Sequence, residues 1–200
     1  MKKLINIRGA VASGKTTAVR QFCEHMGFSV EIMHMNNADI PVSIIDSGRI
    51  VVLGNYANKS NCTGTDPLRF KNGKSATKKL IAQSITQIYR QYNPEIIVYE
   101  HMLTSQLFKS TKEIADVGRS FGYEYFGVQL YLSEKKRESL LEKRSGARAR
   151  KKRFSDAARR VNRSTEMLNE GGYKVIVRNV ERTEHDSMWK VVQDAVEASL

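Results

Sequence analysis

Gly9-Ala10-Val11-Ala12-Ser13-Gly14-Lys15-Thr16 decides how this chain is read. The octet fits G-x-x-x-x-G-K-[ST], a loop that wraps triphosphates in backbone N–H groups. Its surroundings agree. Leu4-Ile5-Asn6-Ile7 before it reads as a short buried strand, and Thr17-Ala18-Val19-Arg20-Gln21-Phe22-Cys23 after it as a helix. A phosphate held here sits on a helix N-terminus, where free N–H groups and the helix dipole favour negative charge. Gly9, Ala12, Ser13, Gly14 and Thr17 shape the cradle, Lys15 reaches the β- and γ-phosphates, and the Thr16 hydroxyl is placed to ligate magnesium.

Outward from the loop, the pattern predicts a strand over 3–7, a helix over 15–26 ended by Gly27, and a strand over 29–33. Apolar runs at 42–45 and 50–53 flank Asp46-Ser47-Gly48-Arg49 and read as a β-hairpin. An Asn-, Ser-, Thr- and Gly-rich loop is expected over 54–74. The chain then alternates: helix 75–92, strand 95–99, helix 105–121, strand 125–132, charged helix 134–144, basic loop 145–153, helix 155–168, strand 174–180 and helix 185–199. Strands alternating with helices imply an α/β fold, a doubly wound parallel sheet with one inserted antiparallel hairpin, forming a single domain over 1–200.

Ile96-Ile97-Val98-Tyr99 delivers Glu100 to a strand's C-terminal end. An acid there lies in the crevice beside the phosphate loop. Two roles are open to it: holding magnesium through water, or accepting a proton from a substrate hydroxyl. His101 follows in the same crevice as a substrate contact, although a lone histidine is more often structural. In the 54–74 loop, Tyr56 is a candidate to stack on a base. Asp66 is a candidate to bind a sugar or base hydroxyl or to act as general base; the alternative is a turn in which Asp66-Pro67 starts a helix. Asp39 is a weaker third acid.

The net charge is +12, and it has a location. From 135 to 163 there are thirteen Lys or Arg against Glu138, Glu142 and Asp156, so this stretch carries a net +10. Helix, loop and helix is the anatomy of a lid that brings arginines over phosphates. Arg144, Arg148, Arg150 and Arg153 are the best placed, because the guanidinium fork grips phosphate bidentately. The excess, including Lys151 and Lys152, points to a nucleic-acid backbone. Residues 179–184, after the last strand, are a candidate base-binding segment by analogy; Trp189 reads as core. Cys23 and Cys62 make no disulfide framework or metal spacing, and no apolar run spans a bilayer or forms a signal peptide, so a reducing, cytoplasmic setting is expected.

The phosphate loop, the acid-ended strand and the arginine-rich lid resemble the P-loop nucleoside and nucleotide kinases. Departures are visible: Tyr99-Glu100-His101-Met102 stands where thymidylate-kinase-like enzymes carry D-R-Y/F/H, and the loop is not the G-x-P-G-x-G-K of adenylate kinases. Val51-Val52-Leu53-Gly54-Asn55-Tyr56 with Cys62-Thr63-Gly64-Thr65-Asp66 is similar to phage 5-hydroxymethyluracil DNA kinases. That resemblance implies an ATP- and magnesium-dependent kinase whose acceptor is a base hydroxymethyl group in DNA, inside a phage-infected bacterial cell. It implies ATP and magnesium on Lys15 and Thr16, deprotonation by Asp66 or Glu100, and DNA along the basic segment with the target base flipped or single-stranded; the lid reading adds Arg148 over the phosphates. A kinase for free nucleosides or nucleotides, and a nucleic-acid-binding ATPase without a phosphoryl acceptor, are the other two readings.

Overall fold

A computed structural model describes residues 1–35, 38–57, 66–101, 105–145, 151–181, 183 and 187–198, without the side chains of 66–78, 141–145 and 151–155. The strands are β1 (Lys3–Gly9), β2 (Ser29–Met35), β3 (Ala38–Ile45), β4 (Ile50–Leu53), β5 (Ile96–Glu100), β6 (Glu124–Tyr131) and β7 (Lys174–Asn179). The helices are α1 (Lys15–Met26), α2 (Asp66–Tyr92), α3 (Phe108–Ser120), α4 (Glu134–Ser145), α5 (Lys151–Glu170) and α6 (Trp189–Glu197).

All seven strands join one sheet in the order β2-β3-β4-β5-β1-β6-β7. Only β3 opposes its neighbours; β4, β5, β1, β6 and β7 form a parallel block. The chain leaves β1 for the β4 side and later returns to β6, so the direction of winding reverses at β1. Ligand crevices open at the C-terminal ends of strands at such a point. That end of β1 is Gly9, the first residue of the phosphate loop.

The inserted antiparallel part is larger than a single hairpin. β2, β3 and β4 form a meander, with His34 opposite Asp39 and Ile45 opposite Ile50. The expected strand at 42–45 starts four residues earlier and runs through Pro41. Proline is ordinarily a poor interior-strand residue because it has no N–H to donate. Here the Pro41 carbonyl accepts from Gly54 N at 2.9 Å, just past the end of β4, and a residue's N–H faces the same side as its carbonyl. The missing donor therefore falls where β4 has already ended. The long loop is also shorter than expected: α2 begins at Asp66, with Pro67 in its first turn where an N–H would go unused.

Helices cover both faces. One core packs Ile5, Ile7, Val98, Phe126, Val128 and Leu130 of the sheet against Ala18, Val19, Phe22 and Cys23 of α1 and Val192, Ala195 and Val196 of α6. The other packs Leu4, Ile97, Tyr99, Tyr125 and Val175 against α2, α3 and α5. Each fully buried isoleucine of β1 contributes roughly 1.5–3 kcal/mol, enough to make the strand under the loop a rigid floor. Cys23 is a free thiol in the first core; burial pushes its pKa to about 12, so it is unreactive. Among the described residues no helix is long and apolar enough to cross a membrane.

Candidate active site

The loop from Gly9 to α1 has a shape few side chains tolerate. Ala12 lies in the left-handed region at φ 61°, and Gly14, the residue before α1, at φ 87°. A Cβ on Gly9 would sit 2.3 Å from Ser13 Oγ and 2.9 Å from the Leu130 carbonyl, and one on Gly14 would sit 2.8 Å from Met188 Cε. No side chain caps α1. Its first N–H groups are therefore left for a ligand, and an anion is the ligand they suit. Buried Ser13 Oγ has no hydrogen-bond partner among the described residues. Lys15, mostly buried, folds back so that its Nζ donates to the carbonyls of Gly9 at 3.1 Å and Ala10 at 3.0 Å.

Thr16 Oγ1 donates to Glu100 Oε1 at 3.0 Å. The register explains the meeting: Ile7 lies opposite Glu100, so the acid ends level with the start of the loop. Glu100 is 3% exposed. A hydroxyl and a carboxylate at a phosphate cradle are a fitting donor set for magnesium, which takes one or two protein oxygens and completes its shell with phosphate and water. No group of three His, Cys, Asp or Glu among the described residues offers a competing metal site.

The loop opens into a cavity of about 440 Å³. Residues 12–17 line one end. Leu132, Leu140, Val180 and Met188 line the rest, with Lys136, Glu181 and Thr183 at the polar margin. Its chemistry matches a nucleotide: N–H groups and a lysine for phosphates, an apolar slot for a ring system. Glu181 Oε1 accepts from Ser133 N at 3.0 Å, tying the segment after β7 to the start of α4. Of the 179–184 segment, Val180, Glu181 and Thr183 line the cavity, and Trp189 stacks on His25 at 3.7 Å between ring centroids.

Other anticipated residues fall differently. Tyr56 is fully buried within the first core, so its ring has no face for a base; the stacking role is withdrawn. His101 is buried, and its carbonyl accepts from the N–H and hydroxyl of Ser105. Asp39 is exposed on the meander at the edge of the sheet, paired with His34 at 2.9 Å and remote from the loop in strand order. Asp66 opens α2, Arg144 lies on α4, and Lys151, Lys152 and Arg153 lie on α5; their side chains, and Arg148 and Arg150 entirely, are outside the described residues.

One residue went unsingled in the sequence. Arg137 is 8% exposed, its Nε donates to the Leu132 carbonyl at 3.1 Å, and it lines a small cleft with Ala10, Gln129 and Asn162. It was one basic residue among thirteen. The signal was its spacing: three residues before Leu140, it shares the inward face of α4.

The sheet order, the loop and the cavity define the P-loop nucleoside-triphosphate fold of the NTPases and kinases. Comparisons with solved structures agree. YorR from Bacillus subtilis, in complex with phosphorylated GDP, is similar at TM-score 0.58 and 11% identity, over 98% of this chain and 96% of that one. A chain of the PezAT chromosomal toxin–antitoxin system of Streptococcus pneumoniae is similar at 0.57 and 14%, over 97% and 78%. A gluconokinase from Sinorhizobium meliloti 1021 is similar at 0.50 and 10%, over 98% and 92%. At these identities the likeness is one of fold. No family model matches the chain, and neither does any curated protein.

Proposed function

We propose that the chain is an ATP-dependent kinase that moves the γ-phosphate to a hydroxyl, the acceptor being a hydroxymethyl base carried in DNA. The observation that carries the kinase reading is the Thr16–Glu100 hydrogen bond at the mouth of a nucleotide-sized cavity. It joins the hydroxyl expected on magnesium to the strand-end acid, and so favours the metal role for Glu100. Magnesium, when bound, neutralises phosphate charge during transfer. Lys15 exchanges its two carbonyl partners for phosphate oxygens, and Arg137, beside Ala10, supplies a second cation to the same group. Asp66, at the start of α2, is then the candidate to take the acceptor's proton.

The DNA part rests on charge. Lys135, Lys136, Arg160 and Arg163 are exposed and make no ion pair among the described residues, whereas Arg159 pairs with Asp156 at 2.7 Å. Unpaired surface cations in one region suit a polyanion. A free-nucleotide kinase is the second reading, favoured by the likeness to a protein crystallised with phosphorylated GDP. The test is transfer of labelled γ-phosphate from ATP to 5-hydroxymethyluracil DNA, plain DNA, and free nucleosides and nucleotides. Label on the modified DNA, falling steeply as salt rises, is expected. Label on free nucleotides alone overturns the DNA acceptor and keeps the kinase. Phosphate released to water with every acceptor unlabelled overturns both.

A further inference from the structure

Arg8, the residue before the loop's first glycine, is fully buried. Its Nη1 donates to Thr111 Oγ1 at 3.1 Å and Tyr125 OH at 3.3 Å, and its Nη2 to the Ser105 carbonyl and Ser164 Oγ, both at 3.0 Å. Its Nε has no partner, and no carboxylate pairs with it among the described residues. Among the described residues, every contact is to a neutral oxygen. A buried charge without a counter-ion is expensive, because its desolvation is repaid only by hydrogen bonds to neutral groups. Stability alone gives little reason for an arginine here.

Geometry gives one. The four acceptors belong to four different pieces: Ser105 ahead of α3, α3 itself, β6, and α5, the helix into which the basic segment leads. A planar fork with several fixed donors is the side chain that can reach four elements at once. The sheet is cut to admit it: a Cβ on Gly127 would lie 3.2 Å from Arg8 Cδ as well as 2.9 Å from Val175 Cγ2. The charge also reaches β5. Burial drives the pKa of Tyr99, the residue before Glu100, well above its ordinary value, and Arg8 pulls the other way.

We propose that Arg8 is a positioning residue for phosphoryl transfer: it locks Ser105, which is itself bonded to the His101 carbonyl next to Glu100, and α5 onto the strand that carries the phosphate loop. Acid, basic segment and phosphates are thereby held in one frame. This rests on the kinase reading above. Misplacement by about 1 Å at a transferring group is sufficient to lose on the order of 10²-fold in rate, so the lock acts on turnover more than on nucleotide affinity.

The test uses Arg8→Met, Arg8→Lys and Ser164→Ala in the full chain, with thermal unfolding, amide hydrogen exchange, and ATP turnover against the acceptor that wild type labels. Expected for Arg8→Met are a folded chain with a lowered unfolding midpoint, exchange at the Ser105 amide and along α5 faster by about 10-fold or more, and kcat per folded molecule lower by about 30-fold with KM for ATP within about 3-fold. Arg8→Lys keeps the charge without the fork and is expected not to rescue. Ser164→Ala, which frees only α5, is expected to lose kcat by a few-fold and remains informative if Arg8→Met does not fold. Unchanged exchange in Arg8→Met, faster exchange with wild-type kcat, or full rescue by lysine overturns the proposal. A wild type that turns over no ATP overturns the kinase reading and the positioning role with it, whereas an active wild type with an equally active Arg8→Met breaks only the latter.

Discussion

The two faces of the central sheet are built from the same alternating strands and both bury apolar cores, but they differ in the polar side chains set among them. Toward α1 and α6, β1, β5 and β6 present Ile5, Ile7, Val98, Phe126, Val128 and Leu130. Toward α3 and α5 the same strands present Asn6, Arg8, Tyr99, Tyr125 and Gln129 beside the apolar Leu4 and Ile97. Gln129 donates to Asn162 at 2.7 Å and accepts from Thr165, and Asn6 donates to Tyr125 OH at 3.1 Å. An apolar interface is non-directional and tolerates sliding, whereas a buried polar network has one satisfied arrangement. The first seats the helix that carries the phosphate cradle, and the second ties α3 and α5 to β1 and β6. On the proposed kinase reading, nucleotide binding hangs from one face and alignment from the other.

The sharpest way to separate them is Lys15→Ala. Lys15 sits at the start of α1, above the apolar face, and its own partners are two loop carbonyls. Removing it takes a cation from the transferring phosphates, so a loss of about 10³-fold or more in phosphate transfer is expected, with unfolding free energy changed by no more than about 1 kcal/mol. Wild-type turnover in this variant would refute the phosphate-loop assignment. A large loss of stability would mean that the cradle is part of the core and the two faces are not independent.

Gly127→Ala probes the polar face from the opposite direction. The added Cβ meets the Val175 methyls at 2.9 and 3.0 Å and the Arg8 stem at 3.2 Å, in a sheet position buried on both sides. Overpacking of this kind costs about 1–3 kcal/mol, so chemical denaturation should show a lower midpoint with an unchanged slope. If the strain is relieved by moving Arg8, turnover falls further than the folded fraction does; if Val175 moves instead, activity tracks the folded fraction. Unchanged stability would show that the close approach of β6, β7 and Arg8 has slack.

What the sequence disclosed follows the same division. The phosphate loop, the Glu100 strand and the apolar residues of β1 were legible because motif spacing and hydrophobic periodicity are local signals. The meander was half legible: the hairpin of 42–45 and 50–53 was read, but not the extension of β3 back through Pro41, which is tolerated because β4 has already ended opposite it. Tyr56 was misread because its place in the core depends on residues distant in sequence such as Val98 and Val192. Arg8 and Arg137 were hidden for a similar reason. A basic residue reads as surface until the fold shows which hydroxyls and carbonyls surround it, and those come from positions as far away as Ser164.

A matched pair of small deletions isolates the difference between the faces. Ile7→Val removes one methylene from the apolar side of β1, where Ile7 is fully buried. Tyr125→Phe removes one hydroxyl from the polar side, where it accepts from Asn6 and Arg8. Each is expected to lower stability by about 1 kcal/mol, the first through lost burial and a small cavity, the second through unsatisfied donors. Equal costs make the kinetics decisive. Ile7→Val leaves the cradle on its floor, so kcat and KM for ATP should stay within about 2-fold of wild type. Tyr125→Phe loosens one of the four anchors of Arg8, so kcat should fall by a few-fold while KM for ATP holds, a pattern that marks an interaction realised in the transition state. Equal kinetics for the two variants would mean that the polar face, like the apolar one, is packing alone.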